Sequence, residues 1–214
     1  MKKILLITVV FMFALALASG AFAQELKVGT LLSYTGPLKE FGPNLKNGTM
    51  LAAKQLEAAG LTIKMIHEDS ETSAIPATNA AKKLVEVDRV VAIVGALASG
   101  VTVPVAESVT CPSKILHISP ASTSPLITVL PSDKDADVLF RTCPSDALQG
   151  VISGKLAVTF SKTASVLYVN NPYGQGLALQ FQKSYERRRG KVLAMIPHDE
   201  KAAESYTAEL KRAL

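Results

Sequence analysis

Hydroxyl-bearing and glycine residues follow three of the predicted strands, and they are the groups in this sequence best suited to ligand chemistry. They are Ser33, Thr35 and Gly36 after the first strand, Ser99 and Gly100 after the third, and Ser122 and Thr123, which follow Ala121, after the fourth. The carboxyl ends of parallel strands meet at one edge of a sheet, where open α/β folds bind ligands. Hydroxyls and the N–H groups at helix starts can hold a small anion, such as a carboxylate, without an arginine. We therefore predict a binding site at this edge.

The stretch 114–125 carries this pattern most clearly. Its apolar residues Ile115, Leu116 and Ile118 suit a buried parallel strand, and the hydroxyls and prolines of 119–125 cannot continue that strand. A polar loop that merely ends a strand would have the same composition. Both interpretations of the loop stay open on composition alone.

Residue types that would support catalysis or metal binding are sparse. His67, His117 and His198 have no metal-ligand spacing. The sequence has neither a nucleophile elbow nor a phosphate-binding loop, and Gly174-Gln175-Gly176 lacks a third glycine because position 179 is leucine. The acidic group Glu68, Asp69 and Glu71 fits a polar loop with helix-capping duty better than acid/base chemistry. We expect a protein that is not an enzyme and needs no cofactor or metal.

Composition and charge fit one substantial core, or one domain and part of another. The chain has 214 residues, of which 48% are hydrophobic and 19% are charged. Its formal net charge is +5, a bias that includes Lys2 and Lys3 and is too weak to indicate nucleic acid. The basic run 187–189 has no aromatic platform beside it and resembles a solvated helix end.

The amino terminus has the pattern of a secretory signal peptide, which we assign to 1–23. Two lysines precede the apolar run 4–18, and small residues end at a cleavage site between Ala23 and Gln24. The run is shorter than the roughly 20 residues of a membrane-spanning helix, and no cysteine follows the cleavage site. We expect an exported, soluble protein in the periplasm. An oxidising compartment permits a bridge between Cys111 and Cys143, although two small buried thiols are equally compatible with the sequence.

Strand and helix patterns alternate along the chain, which predicts an α/β fold with parallel sheets. Strands are predicted at 26–33, 61–68, 90–94, 115–118, 138–142, 165–169 and 191–196, with helices at 43–59, 77–87, 101–109, 145–160, 175–189 and 204–214. A long loop with prolines at 120, 125 and 131 covers 119–137. We predict a first lobe at 24–143 and a partial second lobe at 144–214, which is unfinished because it has only two clear strands.

A series of motifs, in this order, resembles the periplasmic branched-chain amino acid binding proteins, the leucine/isoleucine/valine-type receptors of ABC importers. The motifs are 28–33 with Thr35-Gly36-Pro37, Phe41-Gly42, Asn47-Gly48, Glu68-Asp69, Val94-Gly95, Ser99-Gly100, 118–125, Phe140-Arg141-Thr142 and 173–176. The resemblance covers the chain from the signal peptide to the last residue. It implies a type I periplasmic binding protein fold, in which two Rossmann-like lobes close on a ligand about a hinge.

The resemblance also implies roles for five residues. Ser99 would hydrogen-bond the ligand α-carboxylate, Ala121 and Thr123 would complete that site, and the Thr123 hydroxyl would also accept from the α-ammonium. Phe41 and Tyr173 would wall the side-chain pocket. Ser99 as a helix cap, Phe41 as a core residue and Tyr173 as a loop-packing residue remain alternatives.

The expected function is that of the substrate-binding component of an ABC importer, with a small amino acid as ligand and the membrane permease as partner. We expect a monomer that does not bind nucleic acid. A ligand-sensing receptor domain of the same fold is the alternative. Chains of the resembled family are longer, which predicts that this one is a truncated fragment lacking an acidic partner for the ammonium and further aromatic contacts. The cysteine pair does not match the disulfide position of that family.

Overall fold

The computed structural model describes residues 25–201 and 205–214. The predicted signal peptide, 1–23, therefore lies outside the described residues. Within the described ranges, no helix combines the length and apolar character needed to cross a membrane.

Five parallel strands form the sheet of the first lobe. They are β1 Leu26–Leu32, β2 Ile63–Asp69, β3 Ala92–Gly95, β4 Leu116–Ser119 and β5 Leu139–Arg141. Their order is β2-β1-β3-β4-β5, so β1 lies between β2 and β3 and pairs Thr30 with both His67 and Val94. This arrangement confirms the predicted alternation and its parallel pairing. All five carboxyl ends face the same edge, the edge that the sequence marks with hydroxyls and glycines.

Two parallel strands form the sheet of the second lobe. They are β6 Thr163–Val169 and β7 Lys191–His198. Leu167 pairs with Ile196, and the register shifts between Ala164 and Ser165. The predicted strands at 165–169 and 191–196 are confirmed, each with a few more residues.

Six α-helices of at least seven residues flank the two sheets in the described part of the chain. They are α1 Gly42–Ala58, α2 Ala74–Lys82, α3 Ser99–Val105, α4 Ala147–Phe160, α5 Pro172–Glu186 and α6 Thr207–Ala213. Both α2 and α3 continue as π-helical turns, Lys83–Val87 and Ala106–Thr110. Gly60 ends α1 as predicted: its φ of +92° is one that glycine adopts without strain, and its N–H donates to the Glu57 carbonyl at 2.9 Å.

The main core lies between the first sheet and helices α2 and α3. Its largest members are Leu31, Leu84, Ile93, Val101 and Val105, all within 2% of complete burial. Burying side chains of this size contributes roughly 1.5–3 kcal/mol each relative to exposure. In the second lobe, a fully buried Tyr185 donates its hydroxyl to the Ser161 carbonyl at 2.9 Å.

Two short 3-10 helices, Pro125–Val129 and Pro131–Asp133, occupy the region predicted as an irregular loop at 119–137. Asp133 fixes their end, because its Oδ1 accepts from the N–H groups of Val138 at 2.9 Å and Leu139 at 3.0 Å. The prolines therefore start helical turns here, a role their fixed φ favours.

The cysteines are both free thiols, so the disulfide alternative is wrong. Cys111 is buried, and its Sγ lies 3.6 Å from Asp133 Oδ1. Cys143 donates instead to the Ser122 carbonyl, with an S···O distance of 3.4 Å. The two thiols thus have separate hydrogen-bond partners.

Candidate functional site

A cleft of about 400 Å³ opens between the two lobes, at the carboxyl ends of their strands. Its lining residues are Pro37, Leu38, Thr72, Leu97, Ala98, Ser99, Gly100, Ala121, Thr123, Val169, Asn171, Tyr173 and Glu200. The first lobe supplies the residues up to Thr123, and the second supplies the last four. This is the edge where open α/β sheets bind ligands.

Four of the five residues predicted for the site line this cleft: Ser99, Ala121, Thr123 and Tyr173. The structure does not bring Phe41 to it. Phe41 precedes the first residue of α1 and is 58% exposed, whereas Leu38 from the same loop lines the cleft. The cause is local, because the Phe41 N–H donates to the Leu38 carbonyl at 3.1 Å where the chain turns into the helix.

Buried hydroxyl groups hold the loop after β4 in place through hydrogen bonds on its side facing away from the cleft. Ser119 Oγ donates to the Ala96 carbonyl at 2.6 Å and accepts from the Ser122 N–H at 2.9 Å. Ser122 Oγ lies 2.7 Å from Thr102 Oγ1 and 3.1 Å from the Leu97 carbonyl. These side chains make no contact that a ligand would have to displace, so the loop is held in place before binding.

Ser99 begins α3 and lies on the first wall of the cleft with 2% of its surface exposed. Its Oγ accepts from the Ser124 N–H at 3.2 Å, which leaves the hydroxyl proton available as a donor. The first N–H groups of a helix have no partner within that helix and carry positive partial charge. Ser99 and Gly100 therefore present several donors to an anion.

Thr123 is linked to Asp146, which directly precedes α4. The Thr123 hydroxyl donates to Asp146 Oδ2 at 2.5 Å, and the Thr123 carbonyl accepts from the Asp146 N–H at 2.8 Å. The hydroxyl proton is thus already used. In this rotamer Thr123 offers a carboxylate its backbone N–H, and its Oγ1 lone pairs suit a donor such as an ammonium.

Arg141, which sequence reasoning did not assign to the site, orients the same loop. Its Nη1 donates to the Ser124 carbonyl at 2.6 Å and, more weakly, to the Ser122 carbonyl at 3.4 Å. The Ser122 carbonyl and the Thr123 N–H belong to one planar trans peptide and point in opposite directions. Drawing the carbonyl towards Arg141 therefore turns the Thr123 N–H away from it. The signal in the sequence was a lone arginine at the end of a short strand.

The second wall contains two further residues that the sequence did not reveal. Asn171 is the N-cap of α5, where its Oδ1 accepts from the Gly174 N–H at 3.0 Å. Its Nδ2 donates to Glu200 Oε1 at 2.7 Å. The helix begins at Pro172, three residues before its predicted start at 175, and Glu200 follows β7 and reaches Asn171 only through the fold.

The two walls touch beside the cleft. Ser124 Oγ donates to the Pro172 carbonyl at 2.7 Å. A Cβ on Gly176 would lie 2.5 Å from Ser124 Oγ, and one on Gly100 would lie 3.3 Å from the Asn171 side chain. Glycine at these two positions allows α5 to approach the first lobe.

The acidic loop after β2 has a structural role. Asp69 Oδ1 accepts from the N–H groups of Tyr34 and Glu71, both at 2.9 Å, and Oδ2 accepts from the Thr35 hydroxyl at 2.7 Å. Partial burial raises the pKa of Asp69, but the hydrogen bonds from Thr35, Glu71 and Tyr34 together outweigh it and hold the pKa below its usual value. Glu68 pairs with Lys83. Among the described residues, no cluster of three or more histidine, cysteine or acidic side chains could hold a metal ion.

Known proteins resemble the chain over most of its length. A sequence profile described as periplasmic binding protein matches residues 25–214. The Amino acid binding protein of Pseudomonas aeruginosa is 32% identical over 160 residues, which is 72% of this chain and 41% of that protein. The Leu/Ile/Val-binding protein homolog 1 of Brucella melitensis is 30% identical over 221 aligned positions, covering all of this chain and 58% of the relative. The chain thus spans about half the length of the curated relatives it matches.

Solved structures share the fold. The substrate binding protein LivJ of Streptococcus pneumoniae, in complex with isoleucine, has a TM-score of 0.66 and 25% identity, covering 88% of this chain and 53% of that one. A solute binding protein from R. palustris, in complex with benzoate, has a TM-score of 0.71 and 24% identity, covering 88% of this chain and 52% of that one. The likeness to the benzoate complex concerns the fold alone.

Proposed function

The chain belongs to the periplasmic binding protein family and resembles its Leu/Ile/Val-binding members, and we propose that it is the substrate-binding component of an ABC importer. It binds a small amino acid of branched-chain type, or a related carboxylate, between two lobes that divide near residue 143. After removal of 1–23 it works in the periplasm as a monomer and delivers its ligand to the membrane permease. It catalyses no reaction and uses no cofactor.

The observation that carries the proposal is the convergence of neutral donors on one wall of the cleft. The start of α3 contributes Ser99 and Gly100, and the loop after β4 contributes Ala121 and Thr123. The hydroxyls behind the loop fix these donors before a ligand arrives. A carboxylate can replace its hydration shell with such donors at little reorganisation cost.

Apolar side chains complete the cleft and suit a short aliphatic group. Leu38 and Leu97 come from the first lobe, and Val169 and the ring of Tyr173 come from the second. Ligand pockets commonly combine such a lining with a few placed polar groups. A ligand with one carboxylate and one small apolar side chain matches both parts of the cleft.

Isothermal titration of the purified protein with leucine, isoleucine, valine and benzoate tests the proposal. At least one of these carboxylates should bind, and Ser99→Ala should weaken it about ten- to hundredfold, because a hydrogen bond to a charged group is lost. Thr123→Val should also weaken binding, since it removes the hydroxyl that positions the loop against Asp146.

Ser108→Ala is the matched control for the hydroxyl deletion. Ser108 is exposed and lies on the continuation of the same helix, with its hydroxyl bonded to the Pro104 carbonyl. The proposal is refuted if Ser99→Ala binds ligand as the unmodified protein does. It is equally refuted if Ser108→Ala loses as much affinity as Ser99→Ala.

A further inference from the structure

A second cavity, of about 430 Å³, lies between α4 and α5 in the second lobe and shares no lining residue with the cleft. Its volume falls within the roughly 300–1,000 Å³ of small-ligand sites. The cavity lies at the carboxyl-terminal end of α5, whereas Tyr173 of the cleft lies at the start of that 15-residue helix, so about 20 Å separates the two sites. We call this cavity the basic pocket, and its lining residues are Val151, Gln180, Lys183, Ser184, Arg187 and Arg188.

We propose that the basic pocket binds a phosphate group, carried by a free phosphate ester or by the headgroup of an anionic lipid. Its lining contains three cationic side chains, Lys183, Arg187 and Arg188, and no acidic one. The inference concerns a second site and does not depend on what binds in the cleft.

Arg188 is held in one orientation before any ligand binds. Its Nη1 donates to the Ser184 carbonyl and to Ser184 Oγ, both at 2.9 Å. Ser184 is buried, and its hydroxyl donates to the Val151 carbonyl of α4 at 2.7 Å. Within the ranges 25–201 and 205–214, Nε and Nη2 of Arg188 have no hydrogen-bond partner. A planar guanidinium with free N–H groups can donate to two oxygens of one phosphate.

Close packing of the two helices fixes the buried side of the basic pocket. A Cβ on Gly150 would lie 2.5 Å from Gln180 Cβ, and one on Gly154 would lie 2.8 Å from Ser184 Cβ. Glycine at these two positions of α4 allows α5 to approach closely. The backbone that carries Gln180 and Ser184 is therefore set by packing and needs no ligand to order it.

No acidic side chain neutralises the three cations. None of them forms an ion pair within the described part of the chain. The acid next to Arg187 in the sequence, Glu186, accepts instead from Gln182 Nε2 at 3.0 Å. Cations at the end of a helix are favoured by its dipole, which would suffice for a solvated cluster. A solvated cluster does not require an arginine bonded to a buried serine, and the fixed Arg188 is the observation that favours a site.

The charge of the basic pocket matches phosphate better than a carboxylate. A phosphate monoester carries about −1.5 to −2 charges at pH 7 and three acceptor oxygens, whereas a carboxylate carries one charge and two oxygens. Two arginines and a lysine can neutralise the larger charge and still donate to each oxygen. A phosphate therefore uses more of the donors that line the pocket.

Two binding experiments distinguish the sources of the phosphate. Isothermal titration with glycerol 3-phosphate, in a buffer without phosphate, tests a free ester. Co-sedimentation with vesicles of equal parts phosphatidylglycerol and phosphatidylcholine tests a lipid headgroup, with pure phosphatidylcholine vesicles as the neutral reference. The unmodified protein should bind glycerol 3-phosphate or the anionic vesicles, and whichever binds identifies the source.

Arg188→Gln should weaken that binding about ten- to hundredfold, because it removes charge-assisted hydrogen bonds. Lys183→Gln should weaken it about two- to tenfold, since lysine is a point charge on a flexible stem. Lys183 is exposed and makes no hydrogen bond through its side chain to the described residues, so this variant tests the site even if Arg188→Gln fails to fold.

Arg189→Gln is the control, because it removes the same charge from the adjacent residue, which is exposed and does not line the basic pocket. It should bind phosphate almost as the unmodified protein does. The inference is overturned if neither phosphate source binds, or if Lys183→Gln and every folded Arg188 variant bind as tightly as the unmodified protein. It is also overturned if Arg189→Gln loses as much affinity as the two pocket variants, since that result indicates a diffuse attraction to the basic run 187–189.

Discussion

Replacing His117 by asparagine should remove the part of the first lobe's acid sensitivity that arises from this buried imidazole. His117 lies on β4 and is fully buried, with Nδ1 at 3.1 Å from Thr110 Oγ1. Burial lowers the pKa of His117 from 6.5 to about 4, against weaker upward influences of a hydrogen bond with the Gly95 backbone and of the Asp133 carboxylate. The folded protein therefore keeps this imidazole neutral at a pH where the unfolded chain protonates it.

The size of the effect follows from linkage between protonation and folding. Below pH 6.5 the unfolded chain gains a proton that the folded chain does not accept until about pH 4. Above pH 6.5 His117 is neutral in both states, and the folded protein has its full stability. As the pH falls towards 4, the unfolded chain alone gains the proton, and the folded protein loses stability. The free energy of unfolding should decrease by about 3 kcal/mol over this interval on account of His117. That is a large share of a typical stability of about 5–15 kcal/mol.

Urea unfolding between pH 7.5 and 4 measures this loss. His117→Asn keeps a polar group near Thr110 but cannot titrate, so its free energy of unfolding should fall about 3 kcal/mol less than that of the unmodified protein across this range. Thr110→Val is the control, because it removes the hydrogen-bond partner and keeps the imidazole. The free energy of unfolding of Thr110→Val should be lower than that of the unmodified protein by a similar amount at every pH. Parallel curves for the unmodified protein and His117→Asn would refute the reasoning.

Two further substitutions test the cleft and its supporting loop. Gly176→Ala should weaken ligand binding at least about tenfold, because its Cβ would lie 2.5 Å from Ser124 Oγ and push the lobes apart. Small-angle scattering should give a larger radius of gyration for Gly176→Ala. Gly48→Ala is the control, because a Cβ at Gly48 meets nothing within 4 Å. This control should bind ligand normally and gain roughly 0.5–1 kcal/mol of stability. Asp69→Ala should lose about 1–3 kcal/mol at pH 7, and Asp69→Asn should lose less because its Oδ1 can still accept from the N–H groups of Tyr34 and Glu71. The pKa of Asp69 is lowered in the folded protein, so the loss of unfolding free energy in Asp69→Ala should shrink as the pH falls through that pKa. A loss that stays the same in urea unfolding at acid pH would contradict the structural role of the Asp69 carboxylate.

Much of the fold could be predicted because its signals are local. Apolar runs such as 115–118, separated by helical periodicity, require parallel strands with crossover helices, and the structure has them. The same logic, that residues following parallel strands meet at one edge, placed Ser99, Ala121 and Thr123 where they line the cleft. It also pointed to Ser33, Thr35 and Gly36, which do not line it. Gly60 was predictable as a helix end for a similarly local reason.

The remaining features depend on contacts between distant residues. Whether Phe41 or Leu38 lines the cleft depends on how far the loop turns before α1 begins. The link from Asn171 to Glu200 joins residues on opposite sides of β7, and no spacing in the sequence encodes it. The positions of the cysteines in the sequence did not show whether their Cα atoms are close enough for a disulfide. In the structure each thiol has a separate hydrogen-bond partner.

The first wall of the cleft contains no ionisable group among its described residues, and this has a kinetic consequence. Under the proposed function, its lining from Pro37 to Thr123 would hold an anion through fixed neutral dipoles. The attraction of such dipoles fades within a short distance, whereas a charged cleft draws ligands from afar and does so less as salt rises. A zwitterion also has no net charge on which a long-range field could act. If the proposed function holds, we therefore expect the rate of ligand capture to depend on diffusion and on the relative motion of the lobes, and to change little with ionic strength.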